Sequence, residues 1–134
     1  MIAIDSSALL DMLVEDPQFA AASSECIEQA LGAGDVVICD AVLAEVQAML
    51  QGGAATLDLL GEVGIRYLPT SEQAAVRAGH MQRRFRDRGG RSERVMADFL
   101  IGAHAMMQCD ALITRDAGFY RDYFKGLKVI VPKG

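Results

Sequence analysis

A chain of 134 residues, 51% of them apolar, is long enough to bury one core and too short for two domains of ordinary size. No apolar run approaches the roughly 18 residues that would span a bilayer, and the opening MIAIDSSALLDML holds acids but no bases, which argues against a secretory signal. The net charge of −5 conceals a split: residues 1–65 hold eleven acids and no Lys or Arg, whereas residues 66–134 hold seven acids and all thirteen bases.

In chain order, residues 2–4 (IAI) form a short apolar run ending at Asp5, followed by Ser6, Ser7 and the helical pattern ALLDMLVED. This predicts a buried strand feeding a helix with a serine as N-cap. Pro17 breaks that helix, and FAAASSECIEQALGAG begins a second, stopped at Gly32 to Gly34. Residues 36–39 (VVIC) read as the second strand, with Asp40 as N-cap of the helix AVLAEVQAML. A helix over ATLDLLGEV leads to IRYLP as a third strand, closed by Pro69. SEQAAVRAGHMQRRFRDR predicts a long helix stopped by Gly89 and Gly90, and Ser92 caps the next, which carries Asp98 and runs to about Gln108. Residues 111–114 (ALIT) form strand four and residues 127–131 (LKVIV) a fifth.

Apolar strands alternating with helices, with no hairpin signals, predict a parallel sheet covered on both faces. The expected fold is α/β, a three-layer sandwich around a central parallel sheet of four or five strands. It forms a single domain over residues 1–134, without repeats or linkers, soluble and cytoplasmic. Cys26, Cys39 and Cys109 make an odd number with no CxxC pair, so reduced thiols are expected. Zinc held by Cys39, His104 and Cys109 matches no usual ligand spacing, and core packing is the preferred reading.

In such a sheet, ligands bind outside the carboxyl ends of the strands. Asp5 ends strand one, Asp40 ends strand two, and Asp116 follows strand four in LITRD. Glu45 lies just over a turn into its helix and Asp98 in the second turn of its own. Asp98 shares its face with Arg91, Arg94, Ile101, Gly102 and Ala105, whose small members leave room beside the carboxylate. Glu45 shares its face with Ala41, Ala48 and Met49. Converging acids raise one another's pKa unless a cation neutralises them, and carboxylate oxygens suit Mg²⁺ or Mn²⁺. Each acid taken singly has a plainer reading: Asp40 as a cap, Glu45 as a surface residue, Asp98 paired with Arg94. Asp5, at the end of a buried strand, has few structural reasons to exist. The basic excess lies in RAGHMQRRFRDRGGRSER (residues 77–94), which reads as a phosphate-binding patch or as a solvated face.

IAIDSSALLDMLVEDP, Glu45 in VLAEV, Asp98 in ADFLIGAHA and DALITRDAGF resemble, in order and spacing, PIN-domain nucleases, and in particular VapC-type toxins of toxin-antitoxin pairs. The likeness covers nearly the whole chain. It implies that Asp5, Glu45, Asp98 and Asp116 are the acidic metal-binding set, supported by the hydroxyls of Ser7, or Ser6, and Thr114. It implies Mg²⁺- or Mn²⁺-dependent hydrolysis of RNA, a cognate VapB-type antitoxin as partner, and a homodimer. Asp40 departs from the Ser or Thr usual after strand two. Arg91, Arg94 and Arg115 are candidates to clamp substrate phosphates. An alternative is a catalytically inactive PIN-like binding or scaffold module. A phosphatase using Asp5 as nucleophile would want a second Asp two residues on, where Ser7 stands.

Overall fold

The computed structural model describes residues 1–50, 56–89 and 95–133. Elements follow in the order β1 (Ile2–Ile4), α1 (Ser6–Leu13), α2 (Ala20–Ala33), β2 (Val36–Ile38), α3 (Asp40–Met49), α4 (Thr56–Val63), β3 (Arg66–Tyr67), α5 (Glu72–Asp87), α6 (Met96–Gln108), β4 (Ala111–Ile113), α7 (Ala117–Tyr123) and β5 (Lys128–Ile130). The strands form one parallel sheet in the order β3-β2-β1-β4-β5. Every residue of β2 and β4 is buried, as a sheet sandwiched between helical layers requires. The α/β sandwich expected from the alternation is therefore the fold, with all five strands present.

Pairing in this order reverses direction at β1. The chain leaves β1 towards β2 on one side, and returns from β3 to place β4 on the other. A crevice opens at such a switch point, where neighbouring strand-to-helix connections diverge. In register, Ile4 faces Ile113 and the Asp5 amide donates to the Ile113 carbonyl at 3.0 Å. The residues just beyond β1 and β4 are thereby held side by side.

Helices α5 and α6 pack antiparallel. Phe85 near the end of α5 meets Phe99 near the start of α6, ring centroids 5.6 Å apart. At the other end the Ser71 amide donates to Oε1 of Gln108 at 2.9 Å. Phe85, Phe99, Phe119, Tyr123 and Phe124 interlock largely edge to face, the geometry that ring quadrupoles favour, and cement α5, α6 and α7 together.

Several local expectations are corrected. The N-cap of α1 is Asp5, whose carboxylate accepts the Ala8 amide at 2.9 Å. A carboxylate at that position meets the helix dipole, which a serine would do less well. Asp40 is the first residue of α3, and its side chain accepts the Thr70 amide at 2.9 Å and the Thr70 hydroxyl, tying α3 to the loop after β3. The third strand is confined to two exposed residues. Asp98 lies in the first turn of α6, at N3. The proposed Ser92 cap lies outside the described residues.

Gly102 is buried, but not to leave space for the acid. A Cβ placed there would fall within the ring of Phe124, so its smallness admits an aromatic side chain against α6. Gly102→Ala is expected to destabilise by about 1–3 kcal/mol through overpacking, measured as a lower urea midpoint with an unchanged m-value.

Candidate active site

The carboxyl ends of β1 and β4 and the starts of α1, α3, α6 and α7 surround a cleft of about 490 Å³ lined by Asp5, Ser6, Ser7, Leu10, Glu45, Asp98, Ile101, Arg115, Asp116 and Tyr120. Four acids separated by up to 111 positions in sequence therefore face one space. Three of them arrive by a local rule. Asp5 directly follows β1 and Asp116 lies three residues beyond the end of β4, each as the N-cap of the next helix; Asp98 sits where the positive end of the α6 dipole favours a carboxylate.

Asp5 is the deepest, with 5% of its surface exposed. It accepts from the Ser7 hydroxyl at 3.0 and 3.1 Å, from the Ala8 amide and from the Thr114 hydroxyl. Thr114, itself fully buried, in turn accepts the Asp116 amide at 2.9 Å. Burial pushes the Asp5 carboxyl above its ordinary range, and the three donors only partly offset this. Ser6 plays a parallel part, donating to Oε1 of Glu45 at 2.6 Å. Asp98 is half-buried, and its Oδ2 accepts the Val95 amide at 3.3 Å.

The expected set is thus brought together: Asp5, Glu45, Asp98 and Asp116 in the wall, Ser7 and Thr114 holding Asp5. Arg115 lines the same cleft, but its fork is engaged elsewhere. Nε and one terminal nitrogen donate to the two Asp11 oxygens at 2.7 and 3.1 Å, and the guanidinium carbon lies 4.0 Å from the centre of the Phe19 ring. Asp11 is buried and also accepts the Ser23 hydroxyl at 2.9 Å. Sequence reasoning missed this pair. Its signal was available, since Asp11 is an acid on the same apolar helix face as Ser7, one turn on. Arg91 and Arg94 lie outside the described residues.

The donor set fits a hard divalent cation: among the described residues, the cleft is lined by four carboxylates, with no imidazole and no thiol. Among the described residues, no three such side chains stand close enough to chelate one ion as they are arranged. Cys39 and Cys109 are elsewhere and remain thiols, burial pushing Cys109 up to about 11.

Residues 2–125 match the family model described as the PIN domain. The chain belongs to the PIN domain family. Among solved structures, the PIN chain is similar to VapBC2 of Rickettsia felis bound to a promoter DNA fragment (TM-score 0.76, 17% identity, 98% of each chain covered). It also resembles DNA-bound VapBC of Salmonella typhimurium (TM-score 0.72, 14% identity, 98% of each chain). A third similar structure is FitAcB of Neisseria gonorrhoeae (TM-score 0.63, 23% identity, 98% of each chain). At these identities the likeness is one of fold. A search of curated proteins finds no match. Among the described residues of this PIN domain, no helix is long and apolar enough to cross a membrane.

Proposed function

We propose that this PIN domain is a divalent-metal-dependent endoribonuclease, a VapC-type toxin that hydrolyses RNA phosphodiesters and is neutralised by a VapB-type antitoxin. The observation that carries the reading is the convergence of Asp5, Glu45, Asp98 and Asp116 on one cleft at the switch point of the sheet. The similar structures include toxin-antitoxin complexes, which supports the antitoxin; the homodimer is what the family resemblance implies.

Asp5, Asp98, Asp116 and Glu45 would hold Mg²⁺ or Mn²⁺. When bound, the ion would neutralise the clustered carboxylates, activate a water for attack on phosphorus and stabilise the departing oxygen. The chain's own residues prepare this. Ser7 and Thr114 fix the Asp5 carboxylate by donating to it, and the Asp116 amide fixes the Thr114 hydroxyl. Ser6 holds Oε1 of Glu45, leaving Oε2 to take the proton from the attacking water. Leu10, Ile101 and Tyr120 contribute the less polar wall and limit stray solvent. Arg115, held by Asp11, acts as a fixed positive charge at the cleft and not as a mobile clamp.

Purified protein, freed of antitoxin, is expected to cut total RNA at discrete positions with Mn²⁺ or Mg²⁺ and to be silent in EDTA, with the ends mapped by sequencing. Absence of cutting, together with no thermal shift at millimolar metal, would favour the inactive scaffold.

A further inference from the structure

The cleft poses an electrostatic problem for the substrate just proposed. Among the described residues, its wall holds four acids and one base, Arg115, whose fork is taken by Asp11. A polyanion needs cations outside the cleft to be held there. From Arg77 onward α5 supplies them, with Arg77, Arg83, Arg84, Arg86 and the C-cap Arg88 all exposed, against the one acid Asp87. Among the described residues, none of the five takes part in an ion pair.

We propose that this face of α5, with the adjoining end of α7, binds the phosphate backbone of single-stranded RNA and positions it across the carboxylate cleft. The proposal rests on the ribonuclease reading and names where its substrate is gripped. Arg77, Arg84 and Arg88 recur at seven and four residues, so they share one stripe, spaced by about 10 and 6 Å along the axis. With Tyr123 and Lys125 they line a groove of about 160 Å³; Asp122 is its opposing acid. A second groove of about 340 Å³ on the other side of the stripe shares Arg77 and Arg84 and adds His80 and Arg83, opposed by Asp87.

Two features tie this track to the cleft. Because α5 and α6 run antiparallel, the arginine-rich end of α5 lies beside the first turn of α6, which carries Asp98. Helix α7 starts beside Asp116 in the cleft and ends seven residues later at Tyr123 in the groove, about 10 Å away by helical rise. The half-buried Tyr123 ring, held edge to face by Phe85 at 5.2 Å, offers a platform on which a base can stack. Guanidinium forks with an interleaved aromatic suit a single-stranded nucleic acid, where a membrane surface or an acidic peptide would use the charge alone.

The test uses the full chain carrying Asp98→Asn, so that RNA survives the measurement. Anisotropy of a labelled single-stranded oligoribonucleotide across a KCl series compares it with the same chain bearing Arg77→Gln, Arg84→Gln and Arg88→Gln. The triple substitution is expected to weaken binding roughly tenfold or more and to lower the salt slope by about 2, three contacts at roughly 0.7 each. The Arg→Lys triple should keep most of the affinity, separating charge from folding. In the active background, kcat/KM should fall through KM. Unchanged affinity and slope, in a protein whose parent cleaves RNA, would overturn the track and leave the ribonuclease reading standing. Conversely, a salt-dependent loss of binding in a chain that never cleaves would retain the track and remove the activity. Loss of binding to phosphatidylserine vesicles with RNA affinity unchanged would assign the face to a membrane surface and overturn the proposal.

Discussion

Asp98→Asn is expected to lower metal-dependent RNA cleavage by about 1,000-fold or more, because removing a charged ligand forfeits several kcal/mol of transition-state stabilisation. Its melting temperature should stay within about 2 °C of the parent. The side chain is half-buried and its oxygen accepts the Val95 amide, a bond that an asparagine carbonyl oxygen can also accept. The charge lost at the α6 N-terminus is worth about 0.3–1 kcal/mol, and relief of repulsion from the other three acids offsets it. Gel-resolved cleavage and a thermal melt on the same preparation check both halves. Cleavage at the parental rate would remove Asp98 from the metal set; a variant that fails to fold would make the residue a structural one.

What the sequence made legible follows from how local each cause is. Asp5 and Asp116 could be placed on one edge because strand-to-helix order alone puts them there, and Pro, Gly and apolar periodicity mark most of the helices. Long-range causes were harder to read. Strand order depends on pairing between segments such as Ile2–Ile4 and Ala111–Ile113, which no local pattern encodes. The Asp11–Arg115 pair joins positions 104 residues apart, so Arg115 looked available for substrate when its fork was already engaged. Gly102 illustrates a subtler failure: helical spacing placed it correctly near Asp98, but its reason for being small is the Phe124 ring, brought in by α7. Ser7 and Thr114 were legible only through the family resemblance, since a hydroxyl's value lies in what it donates to.

Asp5→Asn is expected to abolish cleavage and, unusually for an active-site change, to raise the melting temperature at neutral pH without metal. The cause is the balance at Asp5. Burial penalises the ionised carboxyl, the Thr114, Ala8 and Ser7 donors favour it, and the net shift is upward, so the penalty exceeds what the hydrogen bonds return. Between the ordinary aspartate value near 3.8 and the higher folded-state value, the folded chain binds more protons than the unfolded one. Stability is therefore lost as pH rises through that window, and the loss is complete above it. Asparagine avoids the penalty while its carbonyl can still cap α1 at Ala8. A gain of about 1 kcal/mol would move the midpoint by roughly 4 °C in a domain of this size. The advantage should shrink as pH falls below the ordinary aspartate value, where the parent carboxyl is neutral in both states. Added Mg²⁺ or Mn²⁺ should reverse the ranking, because a ligand bound only by the folded state at ten times its Kd contributes about 1.4 kcal/mol, and Asp5→Asn forgoes it. Melting curves of both proteins with EDTA and with millimolar metal read all of this directly. A variant less stable than its parent in EDTA at neutral pH would mean that the three hydrogen bonds outweigh burial, and an undiminished metal shift in the variant would take Asp5 out of the metal-binding set.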